Sequence, residues 1–376
     1  MIGEPLRVLH LYSGNLYGGV ESFLVTLARC RDLCPEMVSH FGLCFRGRLW
    51  DELTAAGVSV HDLGEVRISR PWTVLRARRR LRSLLRSQRF DVAVAHMGWP
   101  HAVFAPVVLK ADVRLVHALH SVVDRRHWLN RWAARTPPDL VIANSDFIAR
   151  NADSWCPNVP MRTCHLPVPP PTMTDREAVR AEVRRELGTP PESVVILQAS
   201  RLEDWKGQRV HIEALSRLRD VPDWEAWLAG GPQRDGEAAF LAELRDITAR
   251  LGIGHRVRFL GQRSDVPRLM RAADIYCQPN TSPEPFGVVF VEALFAGLPV
   301  VTSDFGGGAE IIDKSCGRLT PPGDPEAVAI ALGELIRDPV RRAALGSGGP
   351  TRARELCDPA RQLMRWAELV TEAVRC

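Results

Sequence analysis

Short apolar strands alternate with helical segments along almost the whole of this 376-residue chain. The alternation occurs in two successive runs. Strands that are separated by helices pair in parallel and are covered by helices on both faces. Because a chain of this length is too long for one ordinary hydrophobic core, two cores are expected. The pattern therefore predicts an α/β protein built from two doubly wound, parallel-sheet domains of the Rossmann-like kind.

Each run divides into short predicted strands. In the first run these are Leu6–Tyr12, Val38–Cys44, Val58–Leu63, Asp91–His96, Arg114–Leu119 and Asp139–Ala143. In the second run they are Val194–Ala199, Glu225–Ala229, Arg256–Leu260, Asp274–Gln278 and Pro299–Thr302. Apolar residues at helical spacing lie between the strands, for example over Val20–Arg31. Open sheets of this kind bind ligands at the carboxyl ends of their strands, so we expect a site in a cleft between the two sets of strand ends.

A proline-rich segment separates the two runs. Pro160, Pro167 and the triplet Pro169–Pro171 predict a stiff, extended linker. The expected domain boundaries are 1–168 for the N-terminal domain, 169–193 for the linker with the first helix of the second domain, and 194–355 for the C-terminal domain.

A last helical stretch, Pro359–Val374, follows what the sequence indicates to be a glycine break over residues 346–349. We expect residues 356–376 to form a C-terminal helix, and its position indicates that it crosses back to the first domain.

Composition limits the classes of partner and compartment. The formal net charge of +5 and the pI of about 8.8 suit anionic ligands or an anionic surface without requiring nucleic acid. Nine cysteines without C-x-x-C spacing predict a reduced, cytoplasmic protein with no structural zinc. The first strand begins too early to leave room for a signal peptide, and no apolar run approaches the roughly 18 residues of a membrane span.

Two carboxylates eight positions apart mark the end of the second run. Glu284 lies between Pro283 and Pro285, which fix an extended loop, and the helical pattern that starts at Phe286 places Glu292 about two turns along a helix. Free amides at such a helix start can hold a phosphate while each carboxylate holds sugar hydroxyls. The alternative is an ordinary helix with one acid in its entry loop and one on its solvated face.

Two cations follow the first strand of the second run. Arg201 and Lys206 lie between that strand and a helix that starts near Gln208, where they can clamp a diphosphate. A solvated basic loop is the alternative.

Glycine loops follow two strands. Gly18 and Gly19 come after the first strand, and Gly307 and Gly308 with Glu310 form a further candidate loop after Pro299–Thr302, the strand that follows the helix with Glu292. Such loops allow close backbone approach to an anionic group, although plain turns remain an alternative. The dinucleotide fingerprint and the P-loop motif are both absent, which disfavours a NAD-dependent dehydrogenase.

His120 lies at the exit of the predicted strand Arg114–Leu119, where it faces the expected cleft. His117 lies within the strand and is interpreted as a packed residue. A structural role for His120 is the alternative.

Five of these elements together resemble the retaining GT-B glycosyltransferases of family 4, and the resemblance spans nearly the whole chain. They are Gly18-Gly19-Val20-Glu21, His120, Arg201 with Lys206-Gly207, the pair Glu284 and Glu292, and Gly307-Gly308-Ala309-Glu310.

The resemblance implies roles for four of these elements. Arg201 and Lys206 would neutralise the donor diphosphate, together with backbone amides near Phe286, Gly287 and Val288. Glu284 would lie beside the transferred sugar, and Glu292 would hold the nucleoside ribose. His120 would contact the sugar near its reacting end, and Gly18 and Gly19 would approach the donor phosphate or the acceptor.

The implied activity is transfer of a hexosyl unit from a nucleotide-diphosphate sugar to a hydroxyl of a glycan, lipid-linked or small-molecule acceptor, with retention of configuration. The second domain would bind the donor and the first domain the acceptor. The D-x-D motif of metal-dependent transferases is absent, so we expect no metal and no cofactor. A nucleotide-sugar epimerase of the same fold and an inactive nucleotide-sugar-binding protein remain alternatives.

The segment Trp72–Arg86 has leucines roughly on one face and arginines on the others. Basic amphipathic helices can lie on anionic membranes, which would place the protein at the inner face of the membrane. The alternative is a sheet-covering helix with a solvated arginine face.

Overall fold

The computed structural model describes residues 4–15, 18–152, 155–171 and 175–375. The chain forms two compact units: Met1–Pro169 together with Cys357–Cys376, and Pro170–Leu356. Each unit is built on one parallel sheet, as the alternation of strands and helices predicts.

The sheet of the first unit has seven strands in the order β3-β2-β1-β4-β5-β6-β7. The chain builds outward from β1 in one direction and then in the other, which is the doubly wound pattern. Its strands are β1 Leu6–Tyr12, β2 Met37–Leu43, β3 Ser59–Asp62, β4 Val92–His96, β5 Arg114–Leu119, β6 Leu140–Ala143 and β7 Met161–Thr163. The helices that follow them are α1 Gly19–Arg29, α2 Arg48–Ala55, α3 Pro71–Ser87, α4 Gly98–Leu109, α5 Trp128–Ala133 and α6 Asp146–Ala152.

The sheet of the second unit has six strands in the order β10-β9-β8-β11-β12-β13. Its strands are β8 Val194–Ala199, β9 Trp224–Ala229, β10 Val257–Gly261, β11 Ile275–Gln278, β12 Val300–Ser303 and β13 Gly317–Thr320. Its helices are α7 Arg176–Leu187, α8 Gln208–Ser216, α9 Glu237–Arg250, α10 Val266–Ala272, α11 Val288–Phe295, α12 Gly306–Ile311, α13 Pro325–Arg337 and α14 Pro339–Cys357. Every residue of β8, β9, β11 and β12 is buried, because helices cover both faces of the central strands.

The last helix, α15 Pro359–Arg375, belongs to the first unit. Its buried Trp366 packs edge-on against Phe23 of α1, with 5.0 Å between the ring centroids. Arg162 at β7 forms an ion pair of 2.7 Å with Glu372, and the amide of Val168 donates to the carbonyl of Cys357 at 3.0 Å.

All eleven predicted strands are present, with ends that differ by at most one residue. Two short edge strands, β7 and β13, were not predicted. The first lies within the proline-rich segment, so the interpretation of that whole segment as an extended linker is wrong for Met161–Thr163.

The predicted glycine break at residues 346–349 is also wrong, because α14 continues through it. The glycines let the helix touch backbone directly. A Cβ on Gly346 would lie 2.4 Å from the carbonyl oxygen of Gly297, and one on Gly348 would lie 2.2 Å from that of Ser315. These residues serve close packing rather than chain termination.

Among the described residues, no helix combines the length and the apolar content needed to cross a bilayer.

Candidate functional site

Two loops of the second unit are fastened together at the carboxyl ends of β8 and β11. Gly207 adopts a left-handed conformation with φ of 74°, and a Cβ there would lie 1.8 Å from the carbonyl oxygen of Pro279. The Gln198 side chain donates to the Lys206 carbonyl at 2.9 Å, and the Thr281 amide donates to the Trp205 carbonyl at 2.8 Å. This close approach fixes where the side chain of Lys206 emerges.

Lys206 and Glu284 form an ion pair across these loops. The Lys206 Nζ lies 2.5 Å from Oε2 of Glu284, and the two side chains are only 11% and 12% exposed. Nζ also lies 4.0 Å from the centroid of the Trp205 ring, which is a cation–π contact. Asn280 and Gln278 donate from their side-chain amides to the same carboxylate oxygen, at 3.2 and 3.4 Å. The sequence-predicted cation and the sequence-predicted acid thus occupy one shielded, polar cluster.

Arg201 lies in the same loop but has a different partner. Its guanidinium pairs with Glu203 at 3.0 Å, and its side chain is 41% exposed. Glu203 also pairs with Arg234, which lies beyond β9, at 3.2 Å. Among the described residues, Arg201 and Arg234 thus share the carboxylate of Glu203, which lies in the same loop as Lys206.

The loop between β11 and α11 carries Glu284 and is called the acid loop. It ends at Gly287, a position that only glycine can occupy without strain. Gly287 has φ of 105°, and a Cβ there would lie 2.4 Å from the ring of Phe290. The helix α11 therefore begins at Val288 and not at Phe286 as the sequence predicts, and the Phe286 side chain is buried. Glu292 lies just over one turn along the helix rather than two. The Phe290 amide donates to the Gly287 carbonyl at 2.9 Å, whereas helix geometry leaves the first two amides, those of Val288 and Val289, without an acceptor within the helix.

The environment of Glu292 disfavours its charged form. Burial raises the pKa of this carboxyl from its ordinary value of 4.5 to about 7. Because the folded-state pKa lies above the unfolded value, the folded protein binds the additional proton in the window between these values. The free energy of unfolding therefore falls as the pH rises through this window.

Glu292→Gln is expected to remove this pH dependence, because the neutral amide has the shape of the protonated acid. At pH 8 the variant should be more stable than the parent by on the order of 1–3 kcal/mol, and the difference should shrink towards pH 5. Urea unfolding at both pH values measures it. Glu213→Gln, at an exposed position of α8, is the control and should show no such trend. An equal effect of Glu292→Gln at both pH values would contradict the assignment.

The prediction of a loop at Gly307, Gly308 and Glu310 is wrong, because these residues lie in the short helix α12, and this helix supports the acid loop. The Gly307 amide donates to the Glu284 carbonyl at 2.7 Å, and a Cβ on Gly307 would lie 2.5 Å from the Phe286 carbonyl oxygen. Gly308 is buried beneath the Phe290 ring, and the carbonyl of Glu310 accepts from Arg352 at 2.7 Å. The glycines thus allow α12 to pack directly against the acid loop and to hold the backbone of Glu284 in place.

The remaining predicted residues lie in the first unit. Gly18 caps α1, and Gly19 is its first residue. The Gly18 amide donates at 2.8 Å to the carboxylate of buried Glu21, which also accepts from the Tyr12 hydroxyl at 2.7 Å. The Glu21 side chain therefore caps the N-terminus of α1.

His120 follows β5 directly and is buried, as is His117 within the strand. The Nε2 of His120 lies 3.1 Å from Nδ1 of His96, and burial lowers the pKa of His120 to about 3. His117 packs against His101 and Trp155, with ring centroids 4.7 and 4.8 Å apart, as expected of a packed residue.

Sequence reasoning missed four residues of the second-unit cluster: Gln278, Asn280, Glu203 and Arg234. A signal existed for the first two, because side-chain amides at the exit of a central strand lie at the edge where ligands bind. Glu203 and Arg234 carry no such signal, since any charged loop residue has the same appearance in sequence.

Family models match both halves of the chain. Residues 8–167 match the model for the glycosyl transferase 4-like domain, and residues 179–352 match the model for glycosyl transferases group 1. The chain belongs to the group 1 glycosyltransferases.

Two curated relatives are similar to parts of this glycosyltransferase. A GDP-mannose-dependent alpha-(1-6)-phosphatidylinositol monomannoside mannosyltransferase of Mycolicibacterium smegmatis is 30% identical over 275 residues, covering 66% of this chain and 68% of the relative. A D-inositol 3-phosphate glycosyltransferase of Salinispora tropica is 35% identical over 192 residues, covering 49% of this chain. The matched part spans only 39% of the latter's length.

A solved structure matches nearly the whole chain. Anabaena HepE in complex with UDP-glucose superposes with a TM-score of 0.82 at 26% identity, covering 98% of this glycosyltransferase and 100% of that chain. The two parallel-sheet α/β domains are those of the GT-B fold, which confirms the predicted fold class.

Proposed function

We propose that this glycosyltransferase moves a hexosyl unit from a nucleotide-diphosphate sugar to an acceptor hydroxyl, with retention of anomeric configuration. The observation that carries the proposal is the shielded Lys206–Glu284 pair at the carboxyl ends of β8 and β11. Lys206 would neutralise the leaving diphosphate, and Glu284 would bind the transferred sugar. Both lie at the sheet edge where α/β proteins bind ligands.

The bond between the sugar C1 and the diphosphate oxygen breaks, and its electron pair stays on the diphosphate. Lys206, Arg201 and the first amides of α11, near Gly287 and Val288, are fixed donors for that negative charge. The acceptor oxygen forms the new bond to C1, and a departing phosphate oxygen takes the acceptor's proton on the same face.

Glu284 is assigned to orient and stabilise the sugar rather than to attack it. Its Oε2 already accepts from Lys206, Asn280 and Gln278, and a carboxylate held by three donors is a weakened nucleophile. Double displacement through Glu284 is the alternative route, and a trapped glycosyl–Glu284 adduct would establish it. In this scheme Glu292 holds the nucleoside ribose. Gly18 and Gly19 approach the donor phosphate or the acceptor.

The donors to test first follow from the relatives, one named as GDP-mannose-dependent and one solved with UDP-glucose. For the acceptor we propose a hydroxyl of a glycan or of a lipid-linked or inositol-type molecule. The experiment measures release of GDP or UDP with each donor and reads the anomer of the product by NMR. Product with inverted configuration would refute retention, an epimerised donor would favour an epimerase, and tight binding without turnover would favour an inactive binding protein.

Turnover is expected to be independent of divalent ions, because no D-x-D motif occurs in the sequence and, in this proposal, Lys206 and Arg201 supply the positive charge for the diphosphate. Treatment with excess EDTA followed by desalting should change the rate less than twofold. Loss of activity that manganese restores, but that a buffer exchange alone does not, would refute this expectation.

The helix α3 is proposed to contact an anionic membrane peripherally, at the inner face of the membrane. Its buried side carries Val74, Ala77 and Leu81, while Trp72 and Leu75 are 65% and 54% exposed. The exposed arginines of the same helix are Arg76, Arg79, Arg80, Arg82 and Arg86. An outward tryptophan and leucine among arginines suit a surface that offers both anionic headgroups and apolar chains.

Sedimentation with phosphatidylglycerol vesicles at low salt tests this contact. Binding should weaken with added salt and should fall by at least about 30-fold in Arg76→Glu with Arg79→Glu, since each surface cation contributes about 1 kcal/mol and two are lost. Ile330→Ala, which changes a 60% exposed residue of α13, is the control. Failure to sediment at low salt would dismiss the contact.

A further inference from the structure

A line of hydrogen bonds crosses four adjacent strands of the first unit. Ser39 Oγ on β2 lies 3.3 Å from Nε2 of His10 on β1, and Nδ1 of His10 lies 3.0 Å from Nε2 of His96 at the end of β4. Nδ1 of His96 lies 3.1 Å from Nε2 of His120, just beyond β5. We call Ser39, His10, His96 and His120 the histidine line. It ends inside the unit at His120, the residue expected to act on the sugar.

The three imidazoles are neutral. His10 and His96 are fully buried and His120 is 7% exposed. Aromatic rings of Phe41, Phe23 and Trp366 pack against them. Burial lowers the pKa of His10 and of His120 to about 3 and lowers that of His96 well below its ordinary value, with the neighbouring imidazoles adding to the effect on His96.

Neutrality couples the three tautomers. A neutral imidazole has one N–H donor and one bare acceptor nitrogen. Every link between the rings joins Nδ1 of one histidine to Nε2 of the next. One proton must lie in each link, so all three histidines carry their hydrogen on Nδ1 or all three carry it on Nε2.

The two ends of the line decide between these states. Nδ1 of His120 is buried and has no hydrogen-bond partner among the described residues. With hydrogens on Nδ1, that atom would be an orphaned buried N–H. With hydrogens on Nε2, His10 donates to Ser39 Oγ, and His120 has only an unpaired acceptor. Ser39 is half-buried, so its own hydrogen can reach water. Orphaned buried N–H groups are rarer than unpaired acceptors.

We propose that His10 and His96 are positioning residues that hold His120 as the Nε2–H tautomer, with Nδ1 as a hydrogen-bond acceptor. Its consequence for substrate rests on the function proposed above: a sugar that reaches Nδ1 of His120, which is buried in this structure, must offer it a hydroxyl and not a carbonyl or other pure acceptor. Ser39, on the fourth strand, anchors the tautomer from the far end of the line.

The first test uses the free, full-length protein labelled with ¹⁵N-histidine. Long-range ¹H–¹⁵N spectra distinguish a protonated from a bare ring nitrogen, and single substitutions assign the signals. His10, His96 and His120 should all be Nε2–H tautomers at pH 7.5. A line with mixed tautomers, with all three hydrogens on Nδ1, or with a protonated imidazolium would overturn the proposal. No turnover is needed, so this result is independent of whether the chain transfers a sugar.

The second test removes the preference for the Nε2–H tautomer by a substitution that does not contact His120. In His10→Phe, each of the two tautomeric states of His96 and His120 contains one orphaned donor and one orphaned acceptor, so the preference disappears. The ¹⁵N signals of His120 should move to averaged values, although His10 does not hydrogen-bond to His120. With half of the molecules in each tautomer, kcat/KM for GDP-mannose or UDP-glucose, whichever is turned over, should fall about twofold.

His117→Phe is the matched control, because His117 is a buried imidazole on β5 with no hydrogen-bond partner among the described residues. It should leave the signals of His120 in the Nε2–H form. An unchanged His120 tautomer in a folded His10→Phe protein, or an equal change in both variants, would overturn the proposal. If His10→Phe does not fold, the tautomers of the unsubstituted protein still decide the question.

Discussion

Lys206→Ala is expected to lower kcat/KM by about 10²–10³-fold, the effect of removing one fixed donor from a developing charge. The side chain is 11% exposed, so little water can replace the lost cation. Adding Arg201→Ala should lower kcat/KM by about a further factor of ten, a smaller effect because Arg201 is 41% exposed and screened by solvent. Initial rates with the donor that is turned over measure both.

Arg209→Ala is the control for these variants. Arg209 lies on α8 close to the same loop and pairs with Asp204 at 2.8 Å and with Glu243. Its removal deletes a cation without touching the Lys206–Glu284 pair, so kcat/KM should stay within about twofold of the parent value. Near-normal turnover by Arg201→Ala with Lys206→Ala would refute the assigned roles of both cations.

Gly207→Ala is expected to destabilise the second unit by about 2–5 kcal/mol. A left-handed conformation costs a residue with a Cβ about 1–2 kcal/mol. The new methyl group would also lie 1.8 Å from the Pro279 carbonyl oxygen, and forcing the two loops apart should cost roughly another 1–3 kcal/mol. Because the loops carry Lys206 and Glu284, activity should fall with stability. Denaturant unfolding followed by circular dichroism measures the loss.

Gly252→Ala separates the two contributions. Gly252 has φ of 73°, close to the value of 74° at Gly207, but a Cβ there meets no atom within 4 Å. Its replacement should cost only the conformational part, about 1–2 kcal/mol, with no loss of activity. Equal destabilisation by the two variants would show that the contact between the loops is unimportant.

The sheets could be predicted from sequence because their central strands are continuous apolar runs. β1, β5 and β8 begin and end at the predicted residues. The edge strand β7 has no such run, since Met161–Thr163 is only partly buried and lies among prolines. An edge strand has a neighbouring strand on one side only, so fewer of its residues are buried and its sequence carries less information.

Glycine was the least predictable residue. The run at 346–349 has the composition of a loop, but α14 continues because its glycines pack directly against distant backbone carbonyls. Gly287 has the opposite effect, and its φ of 105° delays the start of α11 by two residues. Both outcomes depend on neighbours far along the chain, which local sequence patterns do not contain.

The candidate site shows the same division. Strand exits and proline-flanked loops indicated Lys206 and Glu284 individually. Their mutual ion pair joins residues 78 positions apart, and Asn280 and Gln278 complete it. From the sequence alone, Glu203 is as good a partner for Lys206 as Glu284 is. In the structure, Glu203 pairs with Arg201 instead. Roles for the individual residues in catalysis stay predictions.

The assignment of Cys357–Cys376 to the first unit has a consequence for biosynthesis. A ribosome must translate all of the second unit before it reaches the helix that packs over Phe23 and the neighbouring imidazoles. Until then the nascent chain leaves that apolar patch uncovered, and it is during this delay that a holding chaperone would be needed.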